Sequence, residues 1–157
     1  MKFTTREDLE APIERVFGML SDFEAFERAA LRRGAEVTRA FEGEKLEIGC
    51  TWNARATIRG KPRVLKVELS QYDPPTTMKF SIDSDGFEAE FLVDLVALSR
   101  NRTRLQVELD IRPRSLPARL LMQSAKLARN SLNRRYKTRV RGFAQDLEQR
   151  YKRAEHA

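Results

Sequence analysis

The chain has 157 residues and a formal net charge of +7, with 41% apolar and 34% charged residues. This length can bury a core without disulfides or metals, and we expect a single domain over residues 1–157 with a disordered end. No apolar run approaches the roughly 20 residues of a membrane-spanning helix. The charged N-terminal sequence lacks the apolar stretch of a signal peptide. We therefore expect no transmembrane segment and a cytoplasmic location.

The first predicted elements are a strand and two short helices. Residues 2–9 alternate weakly between polar and apolar, as in a half-buried strand. Pro12 precedes a helical pattern from Ile13 to Leu20, where its missing N–H does no harm. Ser21-Asp22 can cap a second helix, which Gly34 ends.

Six strands are predicted between Ala35 and Ile111, where apolar residues alternate with polar ones. Connections this short favour antiparallel hairpins, because parallel strands need a long crossover. The strands are separated by turn sequences at Glu42-Gly43, Gly60-Lys61-Pro62, Asp73-Pro74-Pro75, Asp85-Gly86 and Arg100-Asn101.

One face of this sheet is predicted to be apolar, because successive side chains of a strand point to opposite faces. The other face is mostly charged and polar, which indicates a solvated surface. Cys50, the single cysteine, falls on the apolar face and is interpreted as a buried structural thiol. The apolar face comprises Val37, Phe41, Ile48, Cys50, Trp52, Ala54, Leu65, Val67, Leu69, Met78, Phe80, Ile82, Phe87, Ala89, Phe91, Val93, Leu95, Leu105, Val107, Leu109 and Ile111.

A single long helix is predicted after Pro113, capped by Ser115 and running from Leu116 to about Tyr151, with a possible bend at Gly142. Its apolar stripe should face the sheet. The stripe comprises Leu116, Leu120, Leu121, Leu127, Leu132, Tyr136, Val140, Phe143, Leu147 and Tyr151, with the small residues Ser124, Ala125, Ala128 and Ser131 in its middle.

This order of elements resembles the SRPBCC superfamily, which includes START lipid-transfer domains and polyketide cyclases. The sequence from Ala11 to Phe17, followed by Asp22, resembles the family's opening motif, and Arg102-Thr103-Arg104-Leu105 resembles the entry to its last strand. The resemblance implies an α+β helix-grip fold: a seven-stranded curved antiparallel sheet, two short helices after the first strand, and a long C-terminal helix across the concave face. It also implies a cavity that takes an apolar molecule in many members.

Catalytic groups are scarce on the predicted inner face. The candidates are Glu7 on the first strand, Glu68 and Tyr72 if their strand has the opposite register, and Asn53 beside Trp52. A solvated surface position is favoured for each. The only histidine, His156, lies at the extreme end, so no nucleophile has a credible base. No metal-ligand spacing or phosphate-binding loop is found, and no cofactor is predicted.

The leading hypothesis is a binding or carrier module for a small hydrophobic molecule held between the sheet and the C-terminal helix. A filled core is the alternative. Ser124, Ser131 and the indole Nε1 of Trp52 are the predicted polar anchors, and Val67 is not assigned to the site. The predicted ligand-binding residues are Trp52, Met78, Phe80, Phe91, Val93, Leu109, Leu121, Ser124, Leu127 and Ser131.

Two further functions stay open. A cyclase or aromatase requires at least two of Glu68, Tyr72 and Asn53 to project into the cavity.

An interaction protein would dock through its basic C-terminal segment. From Arg114 onward this segment contains twelve Lys and Arg but only three Asp and Glu. A solvated surface is favoured there over nucleic acid or an anionic membrane, because aromatic residues for base stacking are missing from that face. No oligomeric state is predicted. The basic residues in question are Arg129, Arg134, Arg135, Lys137, Arg139, Arg141, Arg150, Lys152 and Arg153.

Overall fold

The computed structural model describes residues 1–58 and 60–156. It contains a seven-stranded antiparallel sheet in the order β1-β7-β6-β5-β4-β3-β2. This arrangement confirms the predicted helix-grip fold. The strands are β1 (Lys2–Leu9), β2 (Glu36–Arg39), β3 (Thr51–Ile58), β4 (Lys61–Asp73), β5 (Thr77–Ser84), β6 (Phe87–Ser99) and β7 (Arg102–Pro113). The helices are α1 (Ile13–Leu20), α2 (Phe23–Arg32), α3 (Leu116–Leu127) and α4 (Arg129–Glu155).

The helices all lie on the apolar, concave face of the sheet. α2 packs on β2, α1 on β6 and β7, α3 on β7, and α4 mainly on β1. The side chain of Asp22 caps α2 by accepting a hydrogen bond from the Ala25 N–H at 3.2 Å. Since the helices pack mainly on β1, β7, β6 and β2, the strands β3, β4 and β5 are covered mainly by side chains. No helix within the described residues is long and apolar enough to cross a membrane.

The register of β4 changes within the strand. Leu69 pairs with Phe80, but Gln71 pairs with Lys79, so the extra residue between them forms a bulge. A bulge shifts side-chain parity by one position. Tyr72 therefore turns to the concave face opposite Met78, although strict alternation from Leu69 would put it outside.

The connection between β2 and β3 also departs from the predicted alternation. Residues 40–50 form an irregular segment, and Ile48, expected on the inner face, is 64% exposed. Gly49 has a φ of 99°, a conformation that favours glycine and redirects the chain just before Cys50. Cys50 is buried as predicted, so the prediction was wrong for Ile48 alone in this segment.

The C-terminal helix is interrupted at Ala128 rather than bent at Gly142. Ala128 has φ −101° and ψ 16°, outside the helical range, and it ends α3 and precedes α4. At about 100° per residue, Leu116, Leu120 and Leu127 lie roughly 160–200° around the helix axis from Tyr136, so they face outward even in a continuous helix. In α3 the buried residues are Ala118 and Met122. The predicted inward orientation of its leucines was therefore wrong: Leu116, Leu120, Leu121 and Leu127 are all exposed.

Candidate ligand groove

One end of the concave face is a closed core. Leu9, Leu69, Met78 and Leu105 are at most 2% exposed and lie beneath α1 and the C-terminal half of α4. Side chains this well packed leave little room for a ligand, because protein interiors are as dense as organic crystals. A binding site must therefore lie toward the other end of the sheet.

The other end is open. Between the edges held by α2 and α4, nine inward-facing apolar side chains keep part of their surface accessible. We call this the open groove. Apolar surface that is concave and incompletely covered is the usual setting of a small-molecule site. The groove residues are Leu65, Val67, Phe80, Ile82, Phe87, Ala89, Phe91, Leu109 and Ile111.

A continuous row of aromatic rings runs along this face from Phe41, after β2, to Phe91 on β6. The ring of Phe41 lies 5.1 Å from that of Trp52, Trp52 lies 6.2 Å from Phe80, and Phe80 lies 6.5 Å from Phe91. Phe23 of α2 extends the contact at 5.8 Å from Phe41. We call Phe41, Trp52, Phe80 and Phe91 the aromatic row. Aromatic rings in edge-to-face and tilted contact at such distances attract one another.

Six of the predicted ligand-binding residues come together on this face. Trp52, Met78 and Val93 are buried in its floor, whereas Phe80, Phe91 and Leu109 are half-buried. The first three belong to the packed core beneath the face, and the second three have surface left to touch a ligand.

The four predicted residues from the C-terminal segment are placed differently. Leu121 and Leu127 are 38% and 91% exposed, and Ser124 of α3 is exposed as well. Ser131 is half-buried in the first turn of α4. The predicted stripe was wrong in phase, because Leu127 precedes Tyr136 by nine residues and therefore lies on the opposite side of an α-helix. Met122 and Ala118 instead form the inner side of α3.

The candidate catalytic groups that face the concave side are already partnered. The hydroxyl of Tyr72 donates a hydrogen bond to Ser21 Oγ at 3.0 Å, and the ring of Tyr72 packs on that of Phe17. Glu7 faces inward on β1, where its carboxylate accepts a hydrogen bond from Arg141 at 3.3 Å. Glu68 and Asn53 are exposed, and their positions in the strands direct their side chains to the convex face. Only Tyr72 of the three cyclase candidates therefore faces inward, fewer than the two that this hypothesis requires.

Ser84 is the polar residue that sequence reasoning missed. Its hydroxyl oxygen is buried and has no hydrogen-bond partner within the described part of the chain. The residue shares the parity of Met78, Phe80 and Ile82 and pairs with Phe87 at the open end of the groove. Strict alternation along β5 would have identified it. At the same end, the guanidinium of Arg63 lies 5.9 Å from the ring centre of Phe87.

Another hollow on the surface is too polar to suit an apolar ligand. This hollow, of about 520 Å³, lies beyond the ends of β6 and α4 and is lined by charged side chains that include Glu10, Arg102, Lys152 and Glu155. Across residues 1–58 and 60–156, no three His, Cys, Asp or Glu side chains are grouped so as to hold a metal ion.

Comparison with proteins of curated function gives no match to this sequence. Comparison with solved structures gives many matches. A protein from Thermus thermophilus is 17% identical, with a TM-score of 0.68 over 98% of this chain and 99% of that chain. The Zhui aromatase/cyclase from Streptomyces is 16% identical, with a TM-score of 0.68 over 96% and 95%. A START superfamily protein from Mycobacterium smegmatis is 17% identical, with a TM-score of 0.57 over 85% and 95%.

At these identities the similarity to solved structures establishes the fold. A family model described as polyketide cyclase / dehydrase and lipid transport matches residues 1–148. The resemblance to the SRPBCC superfamily drawn from the order of elements and the two short motifs is thereby confirmed. The chain belongs to the polyketide cyclase / dehydrase and lipid transport family.

Proposed function

We propose that this protein binds a small hydrophobic molecule in the open groove and acts as a carrier or sensor for it. The aromatic row is the observation that carries the proposal. Phe80 and Phe91 retain accessible surface on a concave face, so that a ligand lying on them would remove apolar area from water. The protein's own helices leave these rings partly uncovered.

The groove favours a ligand that is mostly neutral and apolar. Its walls are apolar side chains, and a charged group buried among them would lose hydration without a partner. The hydroxyl of Ser84 is buried without a partner among the described residues, so it offers one polar contact if the side chains that cover it move aside. A hydroxyl or carbonyl group at one end of the ligand would satisfy it, while Arg63 borders the same end.

The test uses the single tryptophan as a reporter. Trp52 is the only tryptophan in the chain and belongs to the aromatic row. Native mass spectrometry of the purified protein would first identify any molecule that travels with the folded form. A fluorescent fatty acid whose absorption overlaps tryptophan emission would then be titrated, and energy transfer from Trp52 would report occupation of the groove.

A groove-filling variant and a matched control make the test specific. Ala89→Phe adds a ring in the middle of the groove, whereas Val96→Phe adds one to an exposed position of the same strand. We expect Ala89→Phe to weaken probe binding at least about tenfold, and Val96→Phe to leave it within about twofold. Equal affinities for both variants, or no energy transfer and no co-purifying molecule in the unaltered protein, would refute the proposal.

A further inference from the structure

Helix α3 carries an apolar face that the rest of the structure leaves in solvent. Leu116, Leu120 and Leu127 are 70%, 60% and 91% exposed. Their spacing puts them on one side of the helix, and Leu121, 38% exposed, borders them. A single exposed leucine is ordinary, but four on one 12-residue helix expose an apolar stripe, in which the polar Gln123 lies between Leu120 and Leu127. We call these four residues the leucine face.

The leucine face cannot close over the groove while α3 keeps its position. Ala118 and Met122, on the opposite side of the helix, are 4% and 7% exposed against the sheet. The start of α3 is fixed by the Arg114 N–H, which donates to the Gly86 carbonyl at 2.6 Å, and by Ser115, whose hydroxyl caps the Ala118 N–H. The leucine face therefore points away from the ligand groove.

The segment that contains this face carries charge of one sign, while Asp83 and Glu88 from the neighbouring strands pair with Arg114 just before α3. Residues 111–145 contain ten Lys and Arg and no Asp or Glu. Arg119 and Lys126 lie on α3 itself, and both are exposed. Neither forms an ion pair with any described residue. Arg129 follows directly at the start of α4. An apolar stripe flanked by unpaired cations is typical of helices that lie in a membrane interface.

We propose that α3 docks on a lipid surface that carries negative charge. The leucine face would enter the boundary between head groups and acyl chains, where burial of apolar area stabilises binding. Arg119, Lys126 and Arg129 would remain at the level of the head groups, where each cation adds electrostatic attraction to acidic lipids. The helix would lie in the plane of the surface, consistent with its length of 12 residues.

Two other occupants fit these observations less well. A second copy of the chain would bring two patches of the same positive charge together, which opposes association. Nucleic acid would engage the cations but would leave the leucines in water, and no aromatic side chain belongs to the leucine face for base stacking. Anionic lipid is the partner that satisfies both the apolar and the basic parts of α3.

The experiment measures co-sedimentation of the protein with vesicles of phosphatidylcholine alone and of phosphatidylcholine mixed with phosphatidylserine. Leu120→Gln/Leu127→Gln removes half of the leucine face, and its control, Val96→Gln/Leu98→Gln, changes two exposed apolar residues of β6. Arg119→Gln/Lys126→Gln removes two cations of α3. Its control, Arg28→Gln/Arg32→Gln, makes the same change in net charge on α2.

We expect binding to the mixed vesicles and little binding to neutral ones. Each α3 variant should lower the partition coefficient about tenfold or more, and the controls should change it less than about threefold. Thermal unfolding followed by circular dichroism would verify that all four variants fold. The proposal is overturned if the mixed vesicles bind no protein, or if each α3 variant binds like its control.

A second readout locates the contact. A polarity-sensitive dye attached to Leu127→Cys should shift to the blue on mixed vesicles, whereas the same dye on Leu98→Cys should not. Cys50 is buried and will not compete for the label. Equal shifts at both positions would place the contact elsewhere. A dimer that forms without lipid and dissociates in Leu120→Gln/Leu127→Gln would assign the leucine face to a second copy and overturn the proposal.

Discussion

The hydroxyl of Tyr136 on α4 donates a hydrogen bond of 2.7 Å to the main-chain carbonyl oxygen of Val107 in β7. The ring of Tyr136 also packs on Phe3 of β1, with 5.5 Å between ring centres. Burial, with a smaller contribution from the nearby Glu108 carboxylate, raises the pKa of Tyr136 from 10.0 to about 12. The neutral phenol thus links α4 to both β7 and β1.

We predict that Tyr136→Phe lowers the free energy of unfolding by an amount that depends on pH. Because the folded-state pKa is raised, the neutral phenol contributes fully below pH 10 and its contribution is lost as the pH rises toward 12. Below pH 10 the variant should unfold more easily by about 1 kcal/mol, for the lost hydrogen bond. Urea titrations at neutral pH and at several values up to pH 12 should show this difference shrinking. A constant difference would contradict the raised pKa.

Thr103 offers a second test, in a motif that the resemblance singled out. It is 0% exposed, and its hydroxyl donates to the carbonyl oxygen of Ala11 at 2.7 Å, which joins β7 to the connection before α1. Thr103→Val keeps the shape but leaves that carbonyl without this donor, so the free energy of unfolding should fall by about 1–3 kcal/mol. Thr38→Val, at an exposed position, should stay within about 0.5 kcal/mol. If both substitutions lowered the free energy of unfolding equally, the Thr103 hydrogen bond would not contribute to stability.

Gly86 joins β5 and β6 at the point where α3 begins. Its φ is 76°, and a Cβ added there would lie 2.6 Å from Ser115 Oγ and 3.3 Å from Ala118 Cβ. Gly86→Ala should therefore cost about 2–4 kcal/mol, from backbone strain together with the clash. Gly34→Ala is the control, since Gly34 has a φ of 84° and nothing within 4 Å of the added Cβ. It should cost about 1–2 kcal/mol, from strain alone. Denaturant titration gives both values, and equal costs would mean that α3 moves aside freely.

Asp8 and Arg104 form an exposed ion pair between β1 and β7, with 2.9 Å between Arg104 Nε and Asp8 Oδ1. The hydrogen bond from Arg104, aided by the charges of Arg104 and Arg102, lowers the pKa of Asp8 below 3.8. The pair therefore contributes above pH 3.8, and its contribution disappears as the pH falls through the folded-state value.

Asp8→Asn should reduce the free energy of unfolding by less than about 1 kcal/mol at neutral pH, because both partners are partly exposed. The reduction should vanish in acid. Asp146→Asn, which removes an exposed carboxylate of α4, should have a smaller effect, within about 0.5 kcal/mol. Unfolding at neutral and acidic pH checks both variants, and a reduction that persists in acid would argue against the ion pair.

Much of the aromatic row could be predicted from the sequence. Trp52, Phe80 and Phe91 follow strict alternation in regular strands, and alternation alone decides which face of a sheet a side chain occupies. Tyr72 could not be placed in this way, because the bulge after Leu69 shifts the parity and leaves no clear mark in the sequence. Ser84 was predictable from the same alternation, but the absence of a hydrogen-bond partner becomes visible only once its neighbours are in position.

Local periodicity and turn residues determined the order of elements, the antiparallel sheet and its apolar face, because each depends on a few consecutive residues. The tertiary structure decided what covers that face. A helical stripe from Leu116 to Tyr151 predicts an amphipathic helix, but Leu116, Leu120 and Leu127 lie about half a turn around it from Tyr136 and face outward. What the inner side of α3 meets is decided by contacts such as that of Ala118 with the turn at Gly86. Such contacts join residues far apart in the chain, so periodicity within one segment cannot specify them. The same packing leaves the aromatic row partly open and the leucine face in solvent.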